Sequence, residues 1–215
     1  MALAIFDIDG TLVTGPSTEL RLFALLLRHG WLKPRQLLAF LRFGLAFAPE
    51  FGRQTMKKNK AYLAGLRCAE VEALASDWVW RSAPGWWFPP GLARLRQHQA
   101  AGDRVVLLSG TPQFVAEVLA RELGATRAVG TRCSTKGGQF LSGPPLRHPF
   151  GQEKLHLARL LCAEFRTPAS DVFAYADSVN DLPVLRFSGH PVAIRPDAGL
   201  RAVAEAEGWE ILGRR

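Results

Sequence analysis

The feature that most constrains this chain is the string that follows its first apolar run. Residues Ala2 to Phe6 are apolar throughout, as expected of a strand buried on both faces. The run stops at Asp7-Ile8-Asp9-Gly10-Thr11-Leu12, which places one carboxylate where a buried strand ends and a second two residues later. A glycine then supplies the turn. Such a pair suits a nucleophile with a neighbouring acid or base. Alone, Asp-x-Asp also describes a strand ending in a capped turn. A calcium loop is excluded, because Thr11 takes the third ligand position, Leu12 follows, and no glutamate falls at the closing offset.

The rest of the chain divides by periodicity. Between residues 17 and 83 the stretches Glu19 to Arg28, Pro34 to Phe47, Gln54 to Leu66 and Ala69 to Arg81 have helical spacing with almost no strand signal. They read as an all-helical insertion. Beyond the Pro/Gly/Trp segment Ser82 to Gly91, the pattern predicts a helix (Leu92 to Ala101), a strand (Arg104 to Leu108), a helix (Pro112 to Leu123) and a strand (Arg127 to Cys133). That alternation signals a parallel sheet. A hairpin turn at Thr135 to Gly138, a helix over Gly151 to Glu164, a strand over Val172 to Tyr175, a short helix over Leu182 to Phe187 and a strand over Pro191 to Ile194 complete the pattern.

Three further clusters carry chemistry. Ser109-Gly110-Thr111 follows a strand and precedes a helix, where main-chain amides bind phosphate readily. Lys154 opens the helix after Gly151, and Ala176-Asp177-Ser178-Val179-Asn180-Asp181 follows the apolar strand Val172 to Tyr175. Singly, Ser109, Asp177 and Asp181 read as helix caps and Lys154 as a surface lysine. Ligands of open α/β sheets bind beyond the carboxyl ends of strands, so clusters far apart in sequence can share one site.

Taken in order, strand-borne DIDGTL, SGT, a lysine and ADSVND resemble the haloacid dehalogenase (HAD) superfamily, in particular its phosphoserine-phosphatase-like branch of subclass I. The motifs span almost the whole chain. The resemblance implies an α/β fold, a three-layer Rossmann-like parallel-sheet core (residues 1–14 and 89–215) with an inserted all-helical cap (15–88). It implies a phosphomonoester hydrolase in which Asp7 attacks phosphorus and Asp9 protonates the leaving alcohol and later activates water. Ser109, Gly110 and Lys154 would bind the phosphoryl group, and Asn180 would touch substrate or its neighbouring acids. Mg²⁺ would be held by the Asp7 carboxylate, the Asp9 main-chain carbonyl and the Asp177 carboxylate, with Asp181 behind them positioning waters or Lys154. Crowded carboxylates resist joint ionisation unless a cation shares them, which agrees. Ala176 replaces the glycine usual before the fourth-motif acid. Pro16 stands where phosphoserine phosphatases carry the glutamate that holds the substrate ammonium, with Glu19 the nearest acid, which argues against phosphoserine itself.

Composition narrows the remaining choices. The 215 residues are 48% hydrophobic, enough for a packed core. Cys68, Cys133 and Cys162 lack paired spacing, so no disulfide framework or zinc site is expected, and a cytoplasmic location fits. The N-terminal stretch has no basic lead or cleavage pattern, so secretion is not expected. A net charge of +8 favours anionic partners. The apolar run containing Leu38, Phe40, Leu41, Phe43, Leu45 and Phe47 is interrupted by Arg42 and too short to span a bilayer. Arg53, Lys57, Lys58, Lys60 and Arg67, with Trp78, Trp80, Trp86 and Trp87, also suit peripheral contact with an anionic membrane, although packing of the aromatics within the cap is the preferred reading. No nucleic-acid module is evident. A small phosphorylated metabolite is the expected partner. A phospholipid-pathway phosphatase is the runner-up, ahead of a phosphomutase or a catalytically silent binding protein.

Overall fold

The computed structural model describes residues 1–214; the side chain of Arg53 also lies outside the described residues. Strand β1 (Leu3–Phe6) is followed by helices α1 (Thr18–Arg28), α2 (Pro34–Phe51), α3 (Thr55–Lys58), α4 (Cys68–Ser82) and α5 (Pro89–Ala100). Next come β2 (Arg104–Pro112), α6 (Gln113–Leu123), β3 (Arg127–Thr131), and the hairpin strands β4 (Thr135–Lys136) and β5 (Gln139–Phe140). The chain continues through α7 (Gln152–Phe165), β6 (Val172–Ala176), α8 (Leu182–Phe187), β7 (His190–Ile194), α9 (Ala198–Ala206) and β8 (Glu210–Leu212).

Six strands form one parallel sheet in the order β3-β2-β1-β6-β7-β8. With the hairpin set aside this is the Rossmann order, whose direction reverses beside the first strand. Alternation along β1 explains the three layers. Ala4 and Phe6 join Val105, Leu107 and Tyr175 in an apolar cluster on one face, while Leu3 and Ile5 join Val106, Leu108 and Ala174 on the other. Phe6 stacks on Tyr175 with ring centroids 4.1 Å apart.

The helical segment enters and leaves through a narrow neck. The Phe88 amide donates to the Leu12 carbonyl and the Thr14 amide to the Trp86 carbonyl, each at 2.8 Å. Ser17 caps α1, its hydroxyl accepting from the Leu20 amide. Leu22, Leu26, Tyr62, Val71, Ala75 and Val79 of this segment bury themselves in the same apolar cluster as Phe6 and Leu107. Trp78 and Trp86 pack at 4.8 Å, whereas Leu38, Leu41 and Leu45 of α2 stay exposed beside buried Phe43.

Several boundaries differ from the sequence expectations. Gln54 to Leu66 is not one helix: α3 ends at Lys58, and a short 3₁₀ turn covers Ala61–Leu63. Asn59 breaks the run by taking an extended conformation. Its side chain caps the Ala61 amide and donates to the Phe40 carbonyl, the local competition that disfavours asparagine inside helices. Strand β2 runs on to Pro112 with a register irregularity after Leu108, so Ser109 and Gly110 sit on extended chain and not at a helix N-terminus. The pattern of α9 and β8 was not read from the sequence, although Asp197 caps α9 by accepting from the Leu200 amide at 2.8 Å. Among the described residues no helix is long and apolar enough to cross a membrane.

Truncation should separate the core from the surface. Leu107→Ala, at a fully buried position of the central sheet, should cost about 2–5 kcal/mol in urea unfolding. Leu45→Ala, at a side chain 80% exposed, should stay within about 0.5 kcal/mol.

Candidate active site

Strands β2, β1 and β6 lie side by side; Ser109 lies toward the carboxyl end of β2, and Asp7 and Asp177 directly follow β1 and β6, so parallel pairing alone gathers three of the four clusters. Helix α7 brings the last: Gly151 precedes it with φ of 55°, and Lys154 lies in its first turn. A cavity of about 330 Å³ is lined by Asp7, Asp9, Ser109, Gly110, Lys154, Asp177, Asn180 and Asp181. The structure thus brings every one of the sequence-expected residues to one cavity.

Lys154 is buried and its Nζ donates to Asp7 Oδ1 and Asp181 Oδ2, both at 2.7 Å. Burial alone would push this ammonium down, but Asp181 and Asp7 reverse that and hold it above the ordinary lysine value. It is therefore a fixed cation. Asp9 accepts from the Thr18 amide (2.7 Å), the Thr18 hydroxyl (3.0 Å) and the Thr111 hydroxyl (3.3 Å). It keeps some surface open to the cavity, yet the protein crowding it pushes its pKa up to about 6. The Thr18 amide opposes that rise and the charge of Asp7 adds to it.

Gly10 adopts φ of +87°, and a Cβ there would lie 2.1 Å from Asp177 Oδ2. Only glycine lets the first loop approach the Asp177 carboxylate so closely. The fourth-cluster loop is in turn clamped by Asp197, whose amide donates to the Asp177 carbonyl at 2.8 Å and whose carboxylate accepts from the Val179 amide at 3.0 Å. Asn180 donates from Nδ2 to Ser178 Oγ at 2.8 Å. Ser109, far from capping a helix, is buried with its hydroxyl 3.3 Å from that of Thr111.

The rest of the wall is formed by Ser17, Glu19, Lys57, His148, Pro149 and Phe150; sequence reasoning missed Ser17, His148, Pro149 and Phe150, and named Glu19 only as the nearest acid and Lys57 only within a basic group. Glu19 is pinned by the buried Lys60, whose Nζ lies 2.5 Å from Glu19 Oε2 and also donates to the Lys57 carbonyl. Lys57 holds its ammonium over the Phe150 ring at 4.2 Å. No motif marks these positions: the helical segment folding back over the strand ends brings Ser17, Glu19 and Lys57, and the loop before α7 brings His148, Pro149 and Phe150. Thr111 was legible as part of Ser-Gly-Thr, but its bond to Asp9 was not.

The chemistry of the donors fits a hard cation. Among the described residues no three His, Cys, Asp or Glu side chains form a metal cage. Two cavity carboxylates, Asp7 and Asp177, with the Asp9 carbonyl give instead a sparse all-oxygen set, which suits an ion that keeps waters and a substrate phosphate.

Residues 4–186 match the family model described as haloacid dehalogenase-like hydrolase. The chain belongs to that family. Phosphoserine phosphatase SerB1 of Mycobacterium tuberculosis is 34% identical over 98% of this chain and 70% of its own length. A histidinol-phosphatase of Neisseria meningitidis serogroup C is 28% identical, covering 98% and 97%. A protein of unknown function from Bordetella pertussis Tohama I has the same fold, with TM-score 0.79, 26% identity and coverage of 98% and 97%. Family membership and these phosphatase relatives together identify the chain as an enzyme, a phosphatase of the HAD family.

Lys154→Met should leave Asp7 and Asp181 buried without their cation, lowering stability by about 3–5 kcal/mol in urea unfolding. Gly10→Ala should fold with a loss of about 1–3 kcal/mol and, by displacing the Asp177 carboxylate, should lose most phosphatase activity measured as phosphate release.

Proposed function

We propose that the protein hydrolyses a small phosphate monoester through an aspartyl-phosphate on Asp7, with Mg²⁺ as cofactor. The observation that carries this reading is the Lys154 ammonium bonded to Asp7 Oδ1, which steers one carboxylate oxygen to the cation and leaves the other for phosphorus. Asp7, Asp177 and the Asp9 carbonyl would hold Mg²⁺, which supplies charge neutralisation on the transferring phosphoryl group when bound.

The chain's own residues then act in two steps. In the first, an Asp7 oxygen forms a bond to phosphorus, the ester P–O bond breaks, and the Asp9 carboxyl passes its proton to the leaving alkoxide. In the second, Asp9, now a carboxylate, takes a proton from water as the hydroxide oxygen bonds phosphorus, and the Asp7–phosphorus bond breaks to release phosphate. One group must serve as acid and then base, which favours a pKa near the working pH; Asp9, raised to about 6, meets that need. Lys154, Ser109 and the Gly110 amide supply positioning and positive field, the chief requirements of phosphoryl transfer. Asp181 orients Lys154. Residues 15–88 act as a cap over a core of 1–14 and 89–215, and Thr18 makes the cap part of the site through Asp9.

The similarity to enzymes named phosphoserine phosphatase and histidinol-phosphatase supports a small soluble ester, and the three unpaired cysteines favour a cytoplasmic location. Glu19 reaches the cavity wall but is neutralised by Lys60, which argues against it as the anchor for a substrate ammonium. The exposed face of Leu38, Leu41 and Leu45 favours one second reading, a lipid phosphate whose tail meets the cap. Nucleic acid has no place in either.

The deciding experiment measures phosphate release from amino-acid, sugar, nucleotide, histidinol and lipid phosphates, with Mg²⁺ or chelator. Release should require the metal and fall on the order of 10³-fold or more in Asp7→Asn; equal rates in both proteins would refute the nucleophile. In liposome co-sedimentation the protein should stay in the supernatant. Pelleting with anionic vesicles, together with preference for a lipid phosphate, would move the assignment to the second reading.

A further inference from the structure

Two histidines are buried in this fold, and they differ in one respect. His98 uses both ring nitrogens, Nδ1 with Asp103 at 2.9 Å and Nε2 with the Tyr175 hydroxyl at 2.8 Å. His148 uses one. Its Nδ1 lies 2.8 Å from Thr131 Oγ1, while Nε2 is shielded from solvent and has no hydrogen-bond partner among the described residues. The residue is 7% exposed and lines the cavity of Asp7 and Lys154. Its Cε1, the ring carbon between the two nitrogens, packs against Gly110, where an added Cβ would meet it at 3.4 Å.

The tautomer follows from proton counting. Thr131 Oγ1 has a single hydrogen, and it is donated to the Gly110 carbonyl at 2.6 Å, which can only accept. Toward His148 the same oxygen must accept, so Nδ1 carries the ring hydrogen and Nε2 carries a lone pair. Burial pushes the His148 pKa down to about 3, and the charges of Lys60, Lys58, Lys57 and Lys154 push the same way, so the ring is neutral at ordinary pH. A buried acceptor without a donor is a standing cost, and native proteins seldom retain one without a use.

Resting on the phosphatase reading, we propose that His148 Nε2 is a specificity-determining acceptor that receives a hydrogen bond from an uncharged donor, a hydroxyl, on the leaving group of the phosphate ester. The substrate class is a hydroxylated, polyol-type monoester. An ammonium donor is disfavoured at this ring because the charges that reach His148 are those of Lys60, Lys58, Lys57 and Lys154; carboxylates line the cavity elsewhere, and Glu19 among them is already paired with Lys60. Since Nε2 is shielded, the donor enters with a side-chain shift at the wall, of the kind common on binding; Phe150, stacked 6.0 Å from the His148 ring, is placed to give way.

The test uses hydroxyethyl phosphate, propyl phosphate and aminoethyl phosphate, which differ at one position. In Mg²⁺-loaded Asp7→Asn protein carrying nitrogen-15-labelled histidine, the His148 Nε2 resonance should move upfield with hydroxyethyl phosphate and stay in place with propyl phosphate. In the wild type, kcat/KM for the hydroxyl ester should exceed that for the propyl ester by about tenfold and should also exceed that for the amino ester. His148→Phe should level the hydroxyl and propyl esters. If that variant does not fold, the resonance still decides. An Nε2 resonance that ignores both esters, or answers them equally, would assign the lone pair to a trapped water and overturn the proposal. A selective resonance response without phosphate release from any ester would uphold His148 as the acceptor and place the failure in the phosphatase reading.

Discussion

Everything in the site is arranged around one ammonium group. Lys154 Nζ bridges Asp7 and Asp181, residues carried by the end of β1 and by the loop after β6. Buried carboxylates are costly unless paired, so the lysine offsets the cost of burying Asp7 and Asp181 together where sheet pairing places them. Its helix fixes where that cation stands: Gly151, at positive φ, turns the chain into α7, and the first turn delivers Lys154 to the sheet edge. The apolar layers then have only one sheet order to stabilise. Structure and electrostatics agree because the same lysine satisfies both.

Much of this was legible in the sequence because the clusters obey local rules. Apolar β1 ending in paired aspartates, the turn at Gly10 and the acids after β6 need only their immediate neighbours to be recognised. The elements that escaped depend on distant partners. Asn59 interrupts a helical pattern because its side chain finds the Phe40 carbonyl, which no window of sequence shows. The chain stays extended through Ser109 and Gly110 because β2 meets β3 again at Pro112, opposite Thr131, after a register irregularity. Glu19 reaches the cavity wall only because the helical segment folds back, and its partner Lys60 looked like one more member of a basic run. The role of Asp197 is invisible from its own surroundings, since it caps α9 and clamps the Asp177 loop with the same carboxylate.

Thr18 ties the helical segment to the chemistry more tightly than shape alone. Its amide and hydroxyl both bond Asp9, and the hydroxyl also meets Thr111 at 2.9 Å. Asp9 is thus wired at once to the start of α1 and to β2. Any displacement of α1 changes the hydrogen bonds that hold its pKa down, while the crowding that raises it changes in the opposite sense. The proton affinity of this carboxyl is therefore a property of how the segment sits on the sheet, and not of the motif in which it occurs.

The placement of β1 in the middle of the sheet has a consequence for how the chain is made. Leu3 pairs with Arg104 on one side and Val172 on the other, so this strand is synthesised well before the partners it pairs with. During synthesis on the ribosome the apolar run Leu3–Phe6 has no finished sheet to enter, and Asp7 has no lysine until α7 is complete. Contacts of such long sequence separation fold slowly and leave an apolar strand open to wrong pairing meanwhile. The nascent chain thus carries β1 unpaired over a long stretch of synthesis, and the active site is assembled only after α7 and β6 have emerged.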